Sequence, residues 1–395
     1  MDVRITVASI RSSPIQMTRT WRHAMDTRFD TIVIGGGQAG LAAGHFLGKQ
    51  GGSFVILDAN ERVGDAWRTR WDSLRVFTPA KYDGLPGMRF PAPSLSFPTK
   101  DEVADYLAAY ATRFALPIRN GVRVERLERA GDGFCVASSA GTYQASNVIV
   151  ATGAHRAPKV PAFASSLDRG ITQMHSSAYR NPSQLREGAA LVVGLGNSGA
   201  EISYDIRMGR EVYLSGMPFA ELPVPHGAAA AAFVLPLVKF MGTYLLTLDT
   251  PIGRKMLPNM KTAPLIRMKT GDLLAAGIRR VPRVSGVSNG MPTLEDGREL
   301  DVANVIWCTG YSNDLAWIAI PGVVDAEGHL DQYRGIASHV PGLYFVGMMH
   351  QYSAVSDVLP GVGRDARYVA RQIALRGVDS KDRMVRRDPA ELGVG

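Results

Sequence analysis

Short apolar runs alternate along this chain with turn residues and with stretches of helical spacing. The runs are rich in Val, Ile and Leu, and they lie at 31–34, 54–57, 147–151, 189–193, 305–307 and 342–347. Continuous apolar runs separated by helical stretches are typical of buried parallel strands. The residues from Gly121 to Ala145 alternate instead between apolar and polar positions, which predicts a β-meander with its turn near Gly131. The pattern as a whole predicts an α/β fold.

Two further stretches carry helix signals. The segment from Phe97 to Arg113 contains Thr99, which is suited to cap a helix, followed by the acidic pair Asp101 and Glu102 that favours the first turn. Residues 362–375 have the spacing of a closing helix.

The first apolar run leads into a glycine turn and then into a helix. In a dinucleotide-binding unit such glycines permit the turn, let the backbone approach a pyrophosphate and let the helix pack on the strand. The residues in this turn and first helical turn are Gly35, Gly37, Gln38, Ala39 and Gly40. Asp58 closes the second apolar run, about twenty residues later, where the motif has an acid for the ribose hydroxyls. We interpret this unit as a nucleotide site, because helix N-termini bind phosphate.

The same device recurs at 189–203. A strand is again followed by glycines and a helix, with Gly194, Gly196, Asn197, Ser198 and Gly199 in the turn. Two copies predict two Rossmann-like domains. The next strand ends at Ser215 to Met217, with neither an acid for a 2′-hydroxyl nor an arginine for a 2′-phosphate directly after it. The choice between NADH and NADPH is therefore open.

Two strand-end turns mark the passages between the domains. They belong to the segments NVIVATG, which ends at Gly153, and VIWCTGY, which contains Gly310. The predicted organisation is a discontinuous first domain with the second inserted into it. Its parts are a mobile basic arm at 1–28, the first domain at 29–165 and 299–377, the second domain at 166–298 with an apolar insertion at 227–253, and a charged tail at 378–395.

Composition excludes several classes of function. The chain has 395 residues and a formal net charge of +8, but its Lys and Arg are scattered, so nucleic acid is not the expected partner. Cys135 and Cys308 form no CxxC pair, so neither a redox dithiol nor a metal site is predicted, and a reducing cytoplasmic setting fits. The first residues lack the apolar run of a secretory leader.

The apolar insertion allows more than one interpretation. Its residues from Gly227 to Leu248 are interrupted by Pro236 and Lys239, which disfavours a membrane-spanning helix. A buried lid or substrate-channel helix is the favoured interpretation, and peripheral contact with a membrane surface is the alternative.

The order of motifs resembles the flavin-containing monooxygenases in the broad sense, a group that includes indole-pyruvate monooxygenases and Baeyer-Villiger enzymes. The motifs are GGGQAG, GDAW, NVIVATG, HSSAYR, GLGNSG, CTGY and GLYFVG, and the resemblance covers about 31–375. It implies that the first domain binds FAD and the second binds NADPH or NADH. It also implies a monooxygenase that inserts one oxygen atom from O2 into a small organic substrate through a C4a-(hydro)peroxyflavin.

The resemblance also assigns candidate roles around the flavin. His175 and Tyr179 match the family's histidine motif, although the upstream Phe is absent and Gly170 lies one position early. His175 is therefore expected to order the nucleotide domain more than to transfer protons. His350 and Gln351 follow a nucleotide-fold strand and are further catalytic candidates. Trp67 and Trp71, in an aromatic loop, are expected to pack near the cofactor rings.

Two alternatives remain open at this point. One is an NAD(P)H-dependent flavin reductase or dehydrogenase that does not oxygenate, and the other is a flavoprotein binding module attached to a membrane or partner through 227–253. The substrate and the oligomeric state are not predicted.

Overall fold

The computed structural model describes residues 27–153, 157–260, 262–312, 314–325 and 328–385, with side chains as far as residue 378. The predicted basic arm lies almost entirely outside these ranges, as do residues 386–395 of the predicted tail.

The strands and helices follow the alternation predicted from the sequence. The strands are β1 Arg28–Ile34, β2 Phe54–Leu57, β3 Ile118–Arg119, β4 Val124–Ala130, β5 Gly133–Ser138, β6 Gly141–Val150, β7 Ala157–Pro158, β8 Thr172–His175, β9 Ala190–Val193, β10 Val212–Ser215, β11 Arg279–Val281, β12 Val284–Ser288, β13 Met291–Leu294, β14 Asn304–Trp307, β15 Tyr311–Ser312, β16 Gln332–Tyr333, β17 Ile336–Ala337 and β18 Leu343–Phe345. The α-helices are α1 Gln38–Gln50, α2 Asp65–Arg68, α3 Lys100–Arg113, α4 Asn197–Asp205, α5 Leu235–Phe240, α6 Pro251–Met256, α7 Thr270–Ala275 and α8 Leu359–Val385.

The first sheet is built around β1. Its order is β16-β17-β18-β6-β1-β2-β3, with β18, β6, β1, β2 and β3 parallel, and the antiparallel β4 and β5 extend from β6 as the predicted meander. Apolar side chains of the parallel strands are buried on both faces, which explains their continuous apolar runs. Helices α1, α3 and α8 cover one face, and α3 begins after the predicted cap Thr99, which forms a reciprocal capping box with Glu102.

The second sheet is entirely parallel, in the order β11-β10-β9-β14-β8. Apolar clusters lie on both of its faces. The prediction of two Rossmann-like domains is thereby confirmed.

The predicted return to the first domain at residue 299 is too early. Strand β14 pairs with β8 and β9 in the middle of the second sheet, so the chain leaves that sheet only after Trp307. The two passages between the domains then run side by side, because β15 pairs with β7. The apolar runs at 305–307 and 147–150 look alike in sequence. Only the pairing of the strands shows that they belong to different sheets.

The predicted boundary of the charged tail at residue 378 is also too early. Helix α8 continues to Val385. The charged composition of these last turns does not prevent helix formation, because Lys and Arg are good helix formers.

The apolar insertion is helical, with π-helical turns Ala230–Val234 and Met241–Leu245 on either side of α5. It is not the buried helix that the sequence favoured. Phe233 is 81% exposed and Leu237 is 59% exposed, whereas the opposite side packs against the loop before α8, where Gly242 lies on Val355. None of the helices in the described ranges is both long enough and apolar enough to cross a membrane.

The loop that joins α2 to α3 contains a buried carboxyl group. Asp83 is fully buried, and its Oδ1 accepts a hydrogen bond from Thr78 Oγ1 at 2.5 Å, while Oδ2 has no partner among the described residues. Burial raises the pKa of Asp83 from 3.8 to about 7. The native protein therefore holds this proton more tightly than the unfolded chain, and the free energy of unfolding falls as the pH rises from about 4 to about 7.

We expect Asp83→Asn to remove this loss. Relative to the wild type, the variant should gain on the order of 2–4 kcal/mol in the free energy of unfolding between pH 5 and pH 8. Urea unfolding at the two pH values measures the change, with Asp132→Asn, in the exposed β4–β5 turn, as the control. An Asp83→Asn effect that is the same at both pH values would contradict the assignment.

Candidate functional site

The first cleft is formed where β1 turns into α1. Gly35 has φ +110°, and a Cβ atom added there would lie 2.6 Å from the carbonyl oxygen of Ala151 at the end of β6. A Cβ added at Gly40 would lie 1.9 Å from Gly35 O. Both residues therefore have to be glycine for the helix and the strands to meet.

Gly37 occupies a different position in this turn. No heavy atom of the described residues lies within 4 Å of a Cβ added there, and Gly37 is the N-cap of α1 without a side-chain cap. The first N–H groups of α1 thus face an open space and are available to an anion. Gly37 is thus open where Gly35 and Gly40 are closely packed, and the contact of Gly37 with a pyrophosphate stays a prediction.

Asp58 lies beside the same turn, directly after β2. A Cβ added at Gly36 would lie 2.5 Å from Asp58 Oδ2, while Asp58 Oδ1 accepts hydrogen bonds from Asn60 N at 3.1 Å and Asn60 Nδ2 at 2.9 Å. Burial raises the pKa of Asp58, and these hydrogen bonds oppose the rise. The carboxylate is thereby oriented for the ribose-binding role that the sequence predicts.

The amino ends of α1 and α8 meet at the other end of the cleft. Trp67 Nε1 donates to Gln38 Oε1 at 3.1 Å, and Gln38 Nε2 donates to the carbonyl oxygen of Asp357 at 3.1 Å. Ala39 packs closely on Gly347, where an added Cβ would lie 2.6 Å away. Gln38, Ala39 and Trp67, all predicted from the sequence, are thus brought together.

Asp357 was not predicted. Its backbone carbonyl oxygen accepts the hydrogen bond from Gln38, the residue is half-buried, and burial raises the pKa of its carboxyl group to about 6. An acid just before a helix is common for purely structural reasons, so the sequence contains no signal that distinguishes it.

The two catalytic candidates after β18, His350 and Gln351, differ in burial. His350 is half-buried with φ +52°, and burial lowers its pKa. Gln351 is buried: its Oε1 accepts from Met348 N at 3.3 Å and its carbonyl oxygen accepts from Gln332 Nε2 at 3.3 Å. The structure therefore places Gln351 between two turns of the first domain, where it supports the backbone around His350.

The second cleft repeats the geometry of the first. Gly194 has φ +110°, a Cβ added there would lie 2.3 Å from the carbonyl oxygen of Cys308, and one added at Gly199 would lie 1.8 Å from Gly194 O. At Gly196 the nearest atom is Thr262 Oγ1, 3.9 Å away. A cavity of about 480 Å³ opens at this end of the sheet, lined in part by Val193, Gly194, Ser215, Gly216, Met217 and Arg283.

The two polar residues of the second fingerprint differ in their surroundings. Asn197 holds the neighbouring loop, because its Nδ2 donates to Pro264 O at 3.0 Å and its Oδ1 accepts from Ile266 N at 3.1 Å. Ser198 is half-buried in the first turn of α4. Asn197 thus shapes the wall of the cleft with its side chain.

His175 connects the end of β8 to the passage between the domains. Ser177 N donates to His175 Nδ1 at 3.1 Å, so the proton lies on Nε2, which donates to the carbonyl oxygen of Gly310 at 3.0 Å. Burial lowers the pKa of His175, which favours this neutral form. His175 thus links β8 to the passage between the domains, and its role in ordering the nucleotide domain stays a prediction.

Gly153 and Gly310 end the two strand-end turns with φ +72° and +81°. At both positions an added Cβ would meet no heavy atom of the described residues within 4 Å. Their backbones are therefore accessible beside the clefts, as the sequence predicts.

The predicted aromatic residues divide between the domains. Trp67 packs against the cores of both, whereas Trp71 is buried in a cluster of the second domain that contains Tyr179. Tyr179 is also fully buried and its hydroxyl donates to Asp205 Oδ2 at 2.6 Å. Trp71 and Tyr179 thus contribute to the hydrophobic core of the second domain.

The cysteines, the potential metal ligands and the unpaired polar atoms indicate which cofactors the clefts can bind. Cys135 and Cys308 are both free and lie in different domains, so they form no dithiol, and burial raises the pKa of Cys308 to about 12. The described residues contain no cluster of His, Cys, Asp and Glu suited to a metal ion. Thr152 Oγ1, next to the Gly35 turn, is buried without a partner among the described residues, and with the open space at Gly37 this fits a bound flavin dinucleotide.

Known proteins resemble this chain in sequence and in structure. Residues 32–217 match the family model described as pyridine nucleotide-disulphide oxidoreductase. An uncharacterized CzcO-like oxidoreductase of Geobacillus kaustophilus is 39% identical over 348 residues, which are 87% of this chain and 98% of the relative. A flavin-containing monooxygenase from Stenotrophomonas maltophilia superimposes with a TM-score of 0.72 at 30% identity, over 89% of this chain and 99% of that one.

This chain belongs to the flavin-containing monooxygenase family. The indole-3-pyruvate monooxygenase YUCCA1 of Oryza sativa subsp. japonica is a further relative of this chain. The two are 29% identical over 380 residues, which cover 87% of this chain and 90% of the relative. Family membership confirms the predicted enzyme class and the predicted cofactors, FAD and NAD(P)H.

The glycine geometry separates cofactor binding from folding. In this flavin-containing monooxygenase we expect Gly37→Val to fold but to be purified without yellow colour, because its side chain would fill the open space in front of α1. Gly40→Ala should instead unfold at markedly lower temperature, because its Cβ would overlap Gly35 O.

Visible absorbance and thermal melting of the purified apoproteins and FAD-treated proteins distinguish the two effects. Full flavin absorbance in Gly37→Val, or an unchanged melting temperature in Gly40→Ala, would contradict the account of the turn.

Proposed function

We propose that this enzyme consumes NAD(P)H and inserts one oxygen atom from O2 into a small organic substrate. The observation that carries the proposal is the pair of glycine turns with matching geometry, one in each domain, connected by passages that run side by side. Such a pair suits one resident dinucleotide and one that comes and goes.

The assignment of residues follows the two clefts. Gly35, Gly37, Gly40 and Asp58 would hold FAD, and Gly194, Gly196 and Gly199 would hold NAD(P)H. When bound, the flavin supplies the redox and oxygen chemistry. The residues of the chain orient the two cofactors and exclude water from the reaction.

Hydrogen bonds between the two domains support a fixed orientation of one domain relative to the other. His175 Nε2 donates to Gly310 O at 3.0 Å, and Lys159 N donates to the same oxygen at 3.0 Å. Asp72 N also donates to Arg180 O at 2.7 Å, from the aromatic loop of the first domain to the second. Small displacements of the nicotinamide relative to the flavin would lower the rate of hydride transfer, because this step depends on close alignment of the two rings.

Asp357 is the proton-holding residue in this proposal. Its backbone carbonyl oxygen accepts from Gln38 Nε2 at the end of the first cleft, and the pKa of about 6 of its carboxyl group allows that group to be protonated or ionised near neutral pH. His350 remains a second candidate for the same role.

Oxygen insertion is tested with isotopic oxygen. Under 18O2, turnover of an amine, sulfide, ketone or carboxylic acid panel should give a product with one 18O atom for each molecule of NAD(P)H consumed in its formation. Product that forms at the expense of NAD(P)H without the label would identify a reductase or dehydrogenase. Hydrogen peroxide measured in parallel accounts for uncoupled consumption.

A cytoplasmic location and peripheral membrane contact through 227–253 stay predictions. Membrane contact is favoured by one observation, the exposed apolar side chains Phe233, Leu237, Phe240 and Tyr244 along one side of the insertion. We expect liposome flotation of the wild type and not of a Phe233→Asp, Leu237→Asp variant. A wild type that stays at the bottom of the gradient would exclude the contact.

A further inference from the structure

We infer that Asp249 is a positioning residue, which fastens the insertion at 227–253 to the first domain and so keeps the two clefts in the relative orientation that flavin reduction requires. The inference rests on the proposed function, since it concerns the step in which NAD(P)H reduces the flavin. In that step one hydride, with its two electrons, leaves the nicotinamide, which is oxidised, and is taken up by the flavin, which is reduced. Asp249 acts on this step through the position of the second domain.

The insertion is attached to the second domain at both of its ends. Leu222 N donates to Leu265 O at 2.9 Å, and Leu265 N donates to Ala220 O at 2.8 Å, so the segments before and after the insertion are paired with each other. The returning segment is also held by the second fingerprint, because Asn197 Nδ2 donates to Pro264 O at 3.0 Å. The insertion therefore leaves and re-enters the second domain beside the second cleft.

The far end of the insertion is paired with the first domain. Leu248 N donates to Tyr352 O at 2.8 Å. In the opposite direction, Ala354 N donates to Leu246 O at 3.0 Å. The paired loop lies between β18 and α8 and contains the catalytic candidates that follow β18. The insertion thus adds a short antiparallel pairing to a loop of the first domain.

The carboxylate of Asp249 directly follows this pairing and has three partners in the first domain. Tyr333 Oη donates to Asp249 Oδ1, and Tyr352 Oη donates to Oδ2 at 2.8 Å. Arg334 Nη1 lies 3.6 Å from Oδ2. The hydrogen bonds from Tyr333 and Tyr352 lower the pKa of Asp249, which favours its charged form. One ion pair at a partly exposed site contributes little, but charge-assisted hydrogen bonds to the same carboxylate hold it in a defined position.

Arg334 has a backbone conformation that arginine rarely adopts. It is the first of two residues in the turn between β16 and β17, with φ +52°, and Gly335 follows with φ +82°. Turns of this kind favour Asn, Asp or Gly at the first position. The Arg334 guanidinium lies over two aromatic rings, 4.0 Å from the centre of Tyr352 and 4.1 Å from that of Tyr368. A side chain held beside Asp249 from a strained backbone indicates a role beyond the turn itself.

A second contact fastens the insertion to α8. Arg364 Nη1 donates to Thr243 O at 2.6 Å, and its Nη2 donates to Ser353 Oγ at 2.7 Å. The segment 243–249 is therefore held at both ends by the first domain, while the insertion as a whole begins and ends in the second domain. Rotation of one domain relative to the other would have to break these contacts. They thus favour the alignment on which the rate of hydride transfer depends.

The fastening is tested by hydrogen exchange of backbone amides in the FAD-loaded protein. Asp249→Ala should raise the exchange rate of peptides that cover 243–249 and 352–354 by about tenfold, because opening of this pairing costs less free energy without the carboxylate. The peptides of β1 and α1 should exchange as in the wild type. This readout is independent of turnover.

The positioning is tested by anaerobic stopped-flow reduction of the bound flavin at saturating NAD(P)H. Asp249→Ala should lower the rate constant about tenfold, because alignment of the two rings is lost, and should leave reduction by dithionite unchanged. Arg334→Gly should lower the rate constant as well. Glycine relieves the backbone strain at this position, so the turn itself is retained. A purely stabilising role would slow neither variant once it is folded and loaded with FAD.

Asp331→Ala is the matched control. Asp331 directly precedes β16, and its side chain is 45% exposed, against 44% for Asp249, but its ion-pair partner is His339, within the first domain. This variant should keep the wild-type rates of exchange and of reduction. FAD content and melting temperature confirm that each variant is folded, and Arg334→Gly decides the outcome if Asp249→Ala loses FAD.

Wild-type exchange at 243–249 in folded Asp249→Ala would overturn the fastening, and faster exchange with unchanged reduction by NAD(P)H would overturn the positioning role. Equal slowing of reduction by NAD(P)H and by dithionite would also overturn that role. Neither measurement involves O2, so the outcome is separable from that of the proposed function. Unlabelled product under 18O2 together with slow reduction of Asp249→Ala by NAD(P)H would remove only the oxygenation step.

Discussion

The close approach of a helix to the strand before it is the constraint on which both clefts depend. At Gly40 and Gly199 the space of a side chain is already occupied by the carbonyl oxygens of Gly35 and Gly194. Because the helix lies so near the strand, its first N–H groups lie directly above the sheet and have no partner in the helix itself. The phosphate-binding surface is thus a consequence of backbone packing, and the side chains around it determine which nucleotide is bound.

The two clefts differ in the residues that surround this common geometry. In the first, a buried carboxylate at Asp58 and the polar chain formed by Trp67, Gln38 and Asp357 surround the space. In the second, Gly216 follows β10 where Asp58 follows β2 in the first, Arg280 of β11 donates to Gly216 O, and Arg283, between β11 and β12, lines the cavity. The same backbone geometry is therefore surrounded by different side chains in the two domains. The paired passages β7 and β15 hold the two domains together, with His175 connecting the second domain to Gly310.

Several features of the fold could be predicted from the sequence because they depend on local patterns. The glycine spacing, the apolar runs and the helix cap at Thr99 each describe a few neighbouring residues, and the structure has them where they were expected. The assignment of β14 to the first domain was wrong, because an apolar run does not specify its neighbour in a sheet. The insertion was expected to be buried for a similar reason: a uniformly apolar composition does not determine which of its sides meets the protein.

The sequence by itself determined that there are two dinucleotide folds, and it located their glycines, since a motif that acts through the backbone needs only its own spacing. Tertiary structure alone decided which distant residues complete the clefts. Asp357 O accepts from Gln38 Nε2 although 319 positions separate the two residues, and strand pairing brings Arg280 to Gly216, whose carbonyl oxygen accepts from Arg280 Nη2. Contacts of this kind depend on the register of the sheets and on the packing of helix ends, and neither leaves a periodic signal in the order of the residues.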